Sequence, residues 1–191
     1  MDLSAAILIG KSTRMGQDKA LLTLDHTTFV GRLARELSVC GEVFISTTLP
    51  KDYEDVGLDV IHDEYPETGP LEGIRRSLEH ARADRVFICA VDMPFVRGEM
   101  VRCLAERISP EDDICIFRDE DRIHPLCGIY RRRVLPVIEK MIQEDKHRMR
   151  ELLSSVATKV VDIRECGFSG NALRNINTPE EYHAILEESG R

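Results

Sequence analysis

Hydrophobic positions along the chain fall into short continuous runs separated by longer stretches of helical period. Ala5-Ala6-Ile7-Leu8-Ile9 is an uninterrupted apolar run stopped by Gly10, which predicts a strand covered on both faces. Phe29 to Cys40 carries apolar residues at 29, 30, 33, 34 and 37, a spacing that gathers them on one side of a helix. Glu42 to Ser46 predicts a second strand, and Leu58 to Ile61 a third that ends at His62-Asp63. Gly69-Pro70 opens a helix to about Ala81, with proline in its first turn. Arg85 to Val91 is the most strand-like segment and closes at Asp92-Met93-Pro94. A helix over 97–108, paired strands over 113–117 and 125–130, and helices over 132–143 and 148–153 follow. A strand over 158–163 and a helix over 179–188 complete the pattern.

This alternation predicts an α/β fold with a mostly parallel sheet and helices on both faces. Ligands of such folds sit at the carboxyl ends of the strands, where the strand order reverses. The polar residues that follow the predicted strands are Gly10-Lys11-Ser12, Ser46-Thr47, His62-Asp63 and Asp92, and they are expected to converge on one crevice. With 191 residues and no repeat, low-complexity segment or linker, the chain reads as a single domain over 1–191.

Composition narrows the function classes. Hydrophobic residues make up 42% and charged residues 31%, the balance of a soluble globular protein. No apolar run approaches the roughly 20 residues that span a bilayer, and the start lacks the basic flank of a secretory signal. A cytoplasmic protein without a membrane partner is expected. A net charge of −8 argues against general nucleic-acid binding but leaves room for a small anion in a local basic pocket. Six cysteines stand at 40, 89, 103, 115, 127 and 166 without a C-x-x-C pair. Several lie in apolar runs such as Phe87-Ile88-Cys89-Ala90, so reduced core thiols are expected rather than a zinc site or a disulfide framework. Arg118 to Arg122 reads as a charge-rich, solvated turn.

The loop Gly10-Lys11-Ser12-Thr13-Arg14-Met15-Gly16-Gln17-Asp18-Lys19 follows the first strand directly. Its glycines would let backbone amides approach a phosphate, with Arg14 and Lys19 supplying charge against a polyphosphate; an ordinary solvated turn is the plain alternative. Gly10-Lys11-Ser12 also matches the end of a P-loop. That motif needs a glycine where Ala5 stands and a loop where the next four residues form strand, so the P-loop reading is set aside. Asp92 is the sharpest single residue. It ends an apolar strand, where a carboxylate is costly unless exposed or paired with a cation. Magnesium takes one or two carboxylates plus phosphate oxygens, so one aspartate beside a triphosphate suffices. The alternative, a helix N-cap, is weakened by the intervening Pro94 and Phe95.

Taken together, Leu8-Ile9-Gly10, Arg14-Met15-Gly16-Gln17-Asp18-Lys19-Ala20-Leu21, Gly69-Pro70-Leu71-Glu72-Gly73-Ile74, Asp92-Met93-Pro94-Phe95, His124-Pro125-Leu126 and Asn175-Ile176-Asn177-Thr178-Pro179-Glu180-Glu181 resemble the molybdenum cofactor guanylyltransferases. The similarity runs in order from about residue 4 to 185. R-M-G-x-D-K is characteristic of the nucleotidyltransferase superfamily, and G-P-L-x-G with N-I-N-T-P-E-E narrows it to the guanylyltransferase branch. The resemblance implies a three-layer Rossmann-like nucleotidyltransferase fold. It implies transfer of GMP from GTP to the phosphate of molybdopterin bearing molybdenum, with release of pyrophosphate and Mg2+ as cofactor. It further implies that Leu8, Ile9, Gly10, Ser46 and Asp63 contact the nucleotide, the last near base or ribose. Lys19 would lie on the phosphates, and Asp92 would bind both GTP and magnesium. Asn175 and Asn177 would lie towards the pterin. Further partners would be molybdenum-insertion proteins or the target enzymes that receive the finished cofactor.

Two features depart from that pattern. The family usually reads L-x-G-G before the lysine, whereas Leu8-Ile9-Gly10-Lys11 has one glycine fewer, which would shorten the loop and alter which amides point inward. Ser46 stands where an asparagine is common. Catalysis would be positioning plus charge neutralisation by Asp92, Lys19 and Arg14, since a phosphate nucleophile is already an anion. A sister enzyme transferring CMP and a non-catalytic nucleotide-binding module are the rival readings. His124 reads either as an acceptor contact or as a surface turn histidine. His147-Arg148-Met149-Arg150 reads better as a solvated helix start than as a patch for the pterin phosphate.

Overall fold

Residues 1–11, 18–49, 53 and 56–189 are described by a computed structural model. Its strands are β1 (Ser4–Ile9), β2 (Thr23–Leu24), β3 (Thr27–Thr28), β4 (Glu42–Thr47), β5 (Asp59–His62), β6 (Arg85–Ala90), β7 (Ile114–Asp119), β8 (Arg122–Arg131) and β9 (Thr158–Asp162). Its helices are α1 (Phe29–Leu37), α2 (Pro70–His80), α3 (Gly98–Arg107), α4 (Leu135–Gln143), α5 (Met149–Ser155) and α6 (Pro179–Ser189). Among the described residues one sheet runs in the order β5-β4-β1-β6-β8-β7-β9, and β2 and β3 form a separate hairpin. All neighbours in the sheet are parallel except β8, which runs antiparallel to both β6 and β7. This is the three-layer, mostly parallel α/β architecture expected of a Rossmann-like nucleotidyltransferase.

The apolar run of β1 is explained by its two neighbours and its two faces. Ala5, Ile7 and Ile9 point into one core with Phe29, Leu33 and Met100, and Ala6 and Leu8 into another with Leu71, Ile74 and Ile138. Period-two alternation therefore buries every residue, because helices cover both sides. On α1 the buried stripe is Phe29, Val30, Leu33 and Leu37. Burial of each large side chain in that stripe contributes about 1.5–3 kcal/mol. The helix starts where the Thr28 hydroxyl accepts the Gly31 N–H at 3.1 Å, an N-cap contributing about 1 kcal/mol. It ends at Leu37, three residues before the expected Cys40.

The chain leaves β1 towards β4 and β5 on one side and returns to β6 on the other. Strand order reverses there, and a crevice opens between the strand tips. The first turn of α2 closes over it. Gly69, at φ +69°, turns the chain into that helix through a conformation that side chains strain to adopt. Gly73 lets the helix sit on the tips of β1 and β4: a Cβ there would stand 3.3 Å from Leu8 and 3.7 Å from the Ser46 hydroxyl.

Three expectations change. The segment 118–122 is not a solvated turn throughout, because β7 runs through Asp119 and β8 begins at Arg122, leaving the turn at 120–121. Cys40, Cys89, Cys115 and Cys127 are buried free thiols, but Cys103 of α3 and Cys166 are joined in a disulfide, 63 residues apart. His124 lies within β8 and is only 7% exposed, so it is not a surface turn residue. Among the described residues no helix is long and apolar enough to cross a membrane.

Candidate active site

The crevice has a volume of about 420 Å³ and is lined by Leu8, Ile9, Gly10, Lys19, Ser46, Asp63 and Asp92, the expected set of nucleotide-contacting residues. Lys11, Thr48, Gly69, Pro70, Gly73 and Leu126 also line it. Of the residues following the strands, Thr47 is buried beneath the surface, and the His62 ring nitrogen donates to the Leu49 carbonyl instead. Ser12, Arg14 and the rest of 12–17 lie outside the described residues, and with them the length of the loop and the direction of its amides.

Two clusters define the crevice. In the first, Lys19 Nζ stands 3.6 Å from Asp92 Oδ2, with side-chain exposures of 14% and 19%. Asp92 follows β6, whose ladder to β1 continues one residue further through the Val91 N–H and the Leu8 carbonyl at 3.0 Å. The cap of α3 is Arg97, so Asp92 does not act as its N-cap. Lys19 begins a 3-10 turn, Lys19–Leu21, which Asp18 caps by accepting the Ala20 N–H at 3.0 Å. Asp18 also accepts the Tyr53 hydroxyl at 3.0 Å. The aspartate of R-M-G-x-D-K is therefore a structural clamp that sets where the lysine points.

The C-terminal segment supplies the rest of this cluster. The Ile176 N–H donates to the Asp92 carbonyl at 2.8 Å, the Asn175 amide donates to Asp92 Oδ1 at 2.9 Å, and Lys19 Nζ donates to Asn177 Oδ1 at 2.6 Å. N-I-N-T-P-E-E thereby acquires a mechanical meaning. Glu181 accepts the N–H groups of Asn177 and Thr178 at 2.6 and 3.1 Å while the Thr178 hydroxyl accepts that of Glu181, a capping box ahead of Pro179. The start of α6 thus anchors the two asparagines that orient the charged pair. Burial raises the Asp92 pKa above the ordinary carboxylate value, against the opposing pull of Lys19 and Asn175.

In the second cluster the Ser46 hydroxyl, 2% exposed, donates to Asp63 Oδ1 at 3.0 Å. Burial raises the Asp63 pKa too, Ser46 opposing it. The Thr48 hydroxyl is buried without a partner among the described residues, a polar group that sequence reasoning passed over. Behind Asp63, fully buried Glu72 is gripped by Arg75 through two hydrogen bonds of 2.7 and 2.9 Å and accepts the Glu64 N–H at 3.0 Å. Only the position of Glu72 inside G-P-L-E-G-I could have pointed to it.

Among the described residues no three His, Cys, Asp or Glu side chains gather as a metal site. The donor chemistry fits a magnesium ion that arrives with phosphate ligands: Asp92 offers one partly exposed carboxylate at the crevice wall, held by neutral Asn175 and one lysine. Arg148 and Arg150 are exposed at the start of α5, as a solvated helix start would be.

Comparison with known proteins agrees with this geometry. Residues 5–160 match the MobA-like NTP transferase domain. A probable molybdenum cofactor guanylyltransferase of Carboxydothermus hydrogenoformans is 33% identical over 190 residues, 97% of this chain and 96% of the relative. The crystal structure of a molybdopterin-guanine dinucleotide biosynthesis protein A from Archaeoglobus fulgidus superposes with a TM-score of 0.83 at 21% identity, covering 98% of both chains. A 2-C-methyl-D-erythritol 4-phosphate cytidylyltransferase from Thermus thermophilus shares the fold at 14% identity, with a TM-score of 0.74 over the whole of both chains. With a charged pair at the point of strand reversal and a family match over most of its length, the chain belongs to the MobA-like NTP transferases, a family of nucleotidyltransferases.

Proposed function

We propose that this chain transfers GMP from GTP to the phosphate of molybdopterin bearing molybdenum, forming the guanine dinucleotide cofactor and releasing pyrophosphate. The observation that carries the reading is the Lys19–Asp92 pair at the strand tips, held by Asn175 and Asn177. The name of the 33% identical relative supports the choice of nucleotide and acceptor. An oxygen of the acceptor phosphate forms a bond to the α-phosphorus as the bond from that phosphorus to the pyrophosphate oxygen breaks. The nucleophile is already an anion at neutral pH, so no general base is required. Lys19 takes up charge on the phosphate oxygens, and Arg14, outside the described residues, adds a second cation. Magnesium, held by Asp92 together with phosphate oxygens, would neutralise charge on the polyphosphate. Ser46 and Asp63 face the base or ribose end of the crevice. On this reading the chain works in the cytoplasm, between molybdenum-insertion proteins and the enzymes that receive the finished cofactor.

The test is to incubate the protein with magnesium, molybdopterin and GTP, CTP or ATP in turn, and to follow pyrophosphate. Release with GTP alone is expected. Release with CTP alone would make it the cytidylyl enzyme, and nucleotide binding without release would make it a non-catalytic module; either outcome overturns the reading.

A further inference from the structure

The segment that orients Asp92 is tied to the segment that follows Asp92 at two places. Cys103 of α3 lies eleven residues after Asp92, and Ile176 lies ten residues after Cys166. The Ile176 N–H donates to the Asp92 carbonyl at 2.8 Å, and Cys103 and Cys166 are joined in a disulfide. The two ties therefore close one ring, with the charged pair at one end and the disulfide at the other. Asn175, which donates to the Asp92 carboxylate at 2.9 Å, lies within it.

The arm from Cys166 to Ile176 has little else to hold it. Its regular structure beyond Cys166 is a single 3-10 turn, Gly170–Leu173. Among the described residues, 167–174 make no hydrogen bond to any residue before Ile163: the Phe168 N–H reaches the Ile163 carbonyl, and Arg174 pairs with Glu188. Of the side chains in 167–176, Leu173 and Ile176 are buried. The disulfide is thus the upstream anchor of an arm whose downstream end sets the carboxylate.

Its surroundings suit exchange with an external thiol. Cys103 is 8% exposed and Cys166 is the partly exposed partner, so the bridge lies at the margin of the core. The Arg107 guanidinium donates to the carbonyls of Cys103 and Glu165 at 3.2 and 3.0 Å, which sets its charge beside the bridge. Among the described residues no carboxylate pairs with it. A cation there favours a cysteine thiolate, the form released when a disulfide is attacked and the form that attacks when it closes again. The other four cysteines are buried thiols whose pKa burial pushes up, as in inert core positions.

We propose that Cys103–Cys166 is a thiol–disulfide switch that governs how firmly the arm carrying Asn175 is held against Asp92. A thiolate of a small dithiol attacks the Cys166 sulfur, forming a mixed disulfide and releasing Cys103 as a thiolate. The second thiol of the dithiol then closes a disulfide within the reductant and releases Cys166. Two electrons pass from the dithiol to the cysteine pair, and the two protons the dithiol loses are matched by two taken up on the cysteines. Oxidised, the arm is anchored at both ends; reduced, it is held at its downstream end alone and opens more often.

The test compares the full chain oxidised and after treatment with dithiothreitol, at a temperature where thermal unfolding shows both forms folded. On reduction the Ile176 amide should exchange hydrogen roughly tenfold faster, while amides of β1 and β6 stay protected over the same interval. Pyrophosphate release with GTP, magnesium and molybdopterin should fall about tenfold in kcat, with a smaller change in the KM for GTP, and return on reoxidation with oxidised glutathione. Cys103→Ser should match the reduced wild type and ignore dithiothreitol. Equal Ile176 exchange in the two states, equal kcat, or six free thiols after treatment with oxidised glutathione overturns the switch. The kcat readout rests on the guanylyl-transfer reading, whereas the exchange readout does not. Faster Ile176 exchange on reduction with no pyrophosphate in either state would sink guanylyl transfer and leave the switch standing.

Discussion

Glu72 and Arg75 allow the sharpest test of how the crevice wall is built. The Glu72 carboxylate is fully buried, and among the described residues its only charged partner is Arg75, itself 9% exposed in its side chain. Arg75 donates further to Glu64 at 2.8 Å and to Glu79 at 3.4 Å, tying the chain after β5 onto α2. Burial alone would raise the Glu72 pKa, but Arg75 and the N–H of Glu64 hold it below the ordinary value. Arg75→Met keeps the length of the side chain and leaves the carboxylate stranded. Breaking a buried pair in this way costs about 3–5 kcal/mol, and the half-exposed partners Glu64 and Glu79 add little. For a chain of 191 residues the lower bound corresponds to a Tm fall of roughly 10 °C. The double variant Glu72→Met with Arg75→Met removes both charges, so most of that loss should be recovered. Urea unfolding of the two single variants and the double variant measures the cycle. Additive losses, or an Arg75→Met within about 1 kcal/mol of wild type, would refute a tightly coupled buried pair. Because the tethered segment carries Asp63, Gly69 and Pro70 into the crevice, the KM for nucleotide should rise in Arg75→Met more than kcat falls.

Asp92→Asn should lower kcat by about 100-fold or more, yet stabilise the ligand-free chain. The raised native pKa of Asp92 means stability is fully present below the unfolded value and is lost as pH rises through the native one. The Tm advantage of the variant should therefore appear above about pH 4 and vanish below it; a variant less stable than wild type at pH 7 would contradict this. Lys19→Ala should reduce kcat, and a higher KM at unchanged kcat would confine the lysine to binding. Opening the Cys103–Cys166 disulfide, which closes a 63-residue separation, should cost about 2–4 kcal/mol. Thiol titration in denaturant without reductant should count four thiols, and six would show the bond absent.

Strand and helix order was legible because both faces of the sheet are covered, so the buried strands read as unbroken apolar runs and the helices as stripes. The β2–β3 hairpin was not, since its turn uses Asp25 and His26 at φ +50° and +62° without the glycine that usually marks such turns. His124 misled for a related reason. The proline beside it signals a turn, and only the pairing of Phe117 with His124 reveals a strand that bulges rather than ends. The disulfide had no local signature, as its cysteines are brought together by tertiary packing. For the site, strand ends located Ser46, Asp63 and Asp92 in advance. The roles of Asp18, Glu72 and Arg75 depend on partners that no spacing rule supplies.

The manner in which the charged pair is held bears on what it can do. Had Asp92 been paired with an arginine in bidentate fashion, its charge would be satisfied internally and a cation would gain little there. Instead the lysine stands at 3.6 Å, and the closer contacts of both charged groups are neutral amides from Asn175 and Asn177. Neutral partners fix orientation while leaving net charge on each group, so an incoming phosphate still meets an unquenched ammonium and an incoming cation an unquenched carboxylate. The native state carries the cost of that arrangement in the raised pKa of Asp92. The cost persists because the capping box at the start of α6 and the clamp by Asp18 hold both groups from opposite ends of the chain. Polar groups fixed in advance around a site of charge transfer reduce the reorganisation needed when charge develops. On that argument, loosening the start of α6 with Glu181→Ala should impair turnover although Glu181 touches neither Lys19 nor Asp92.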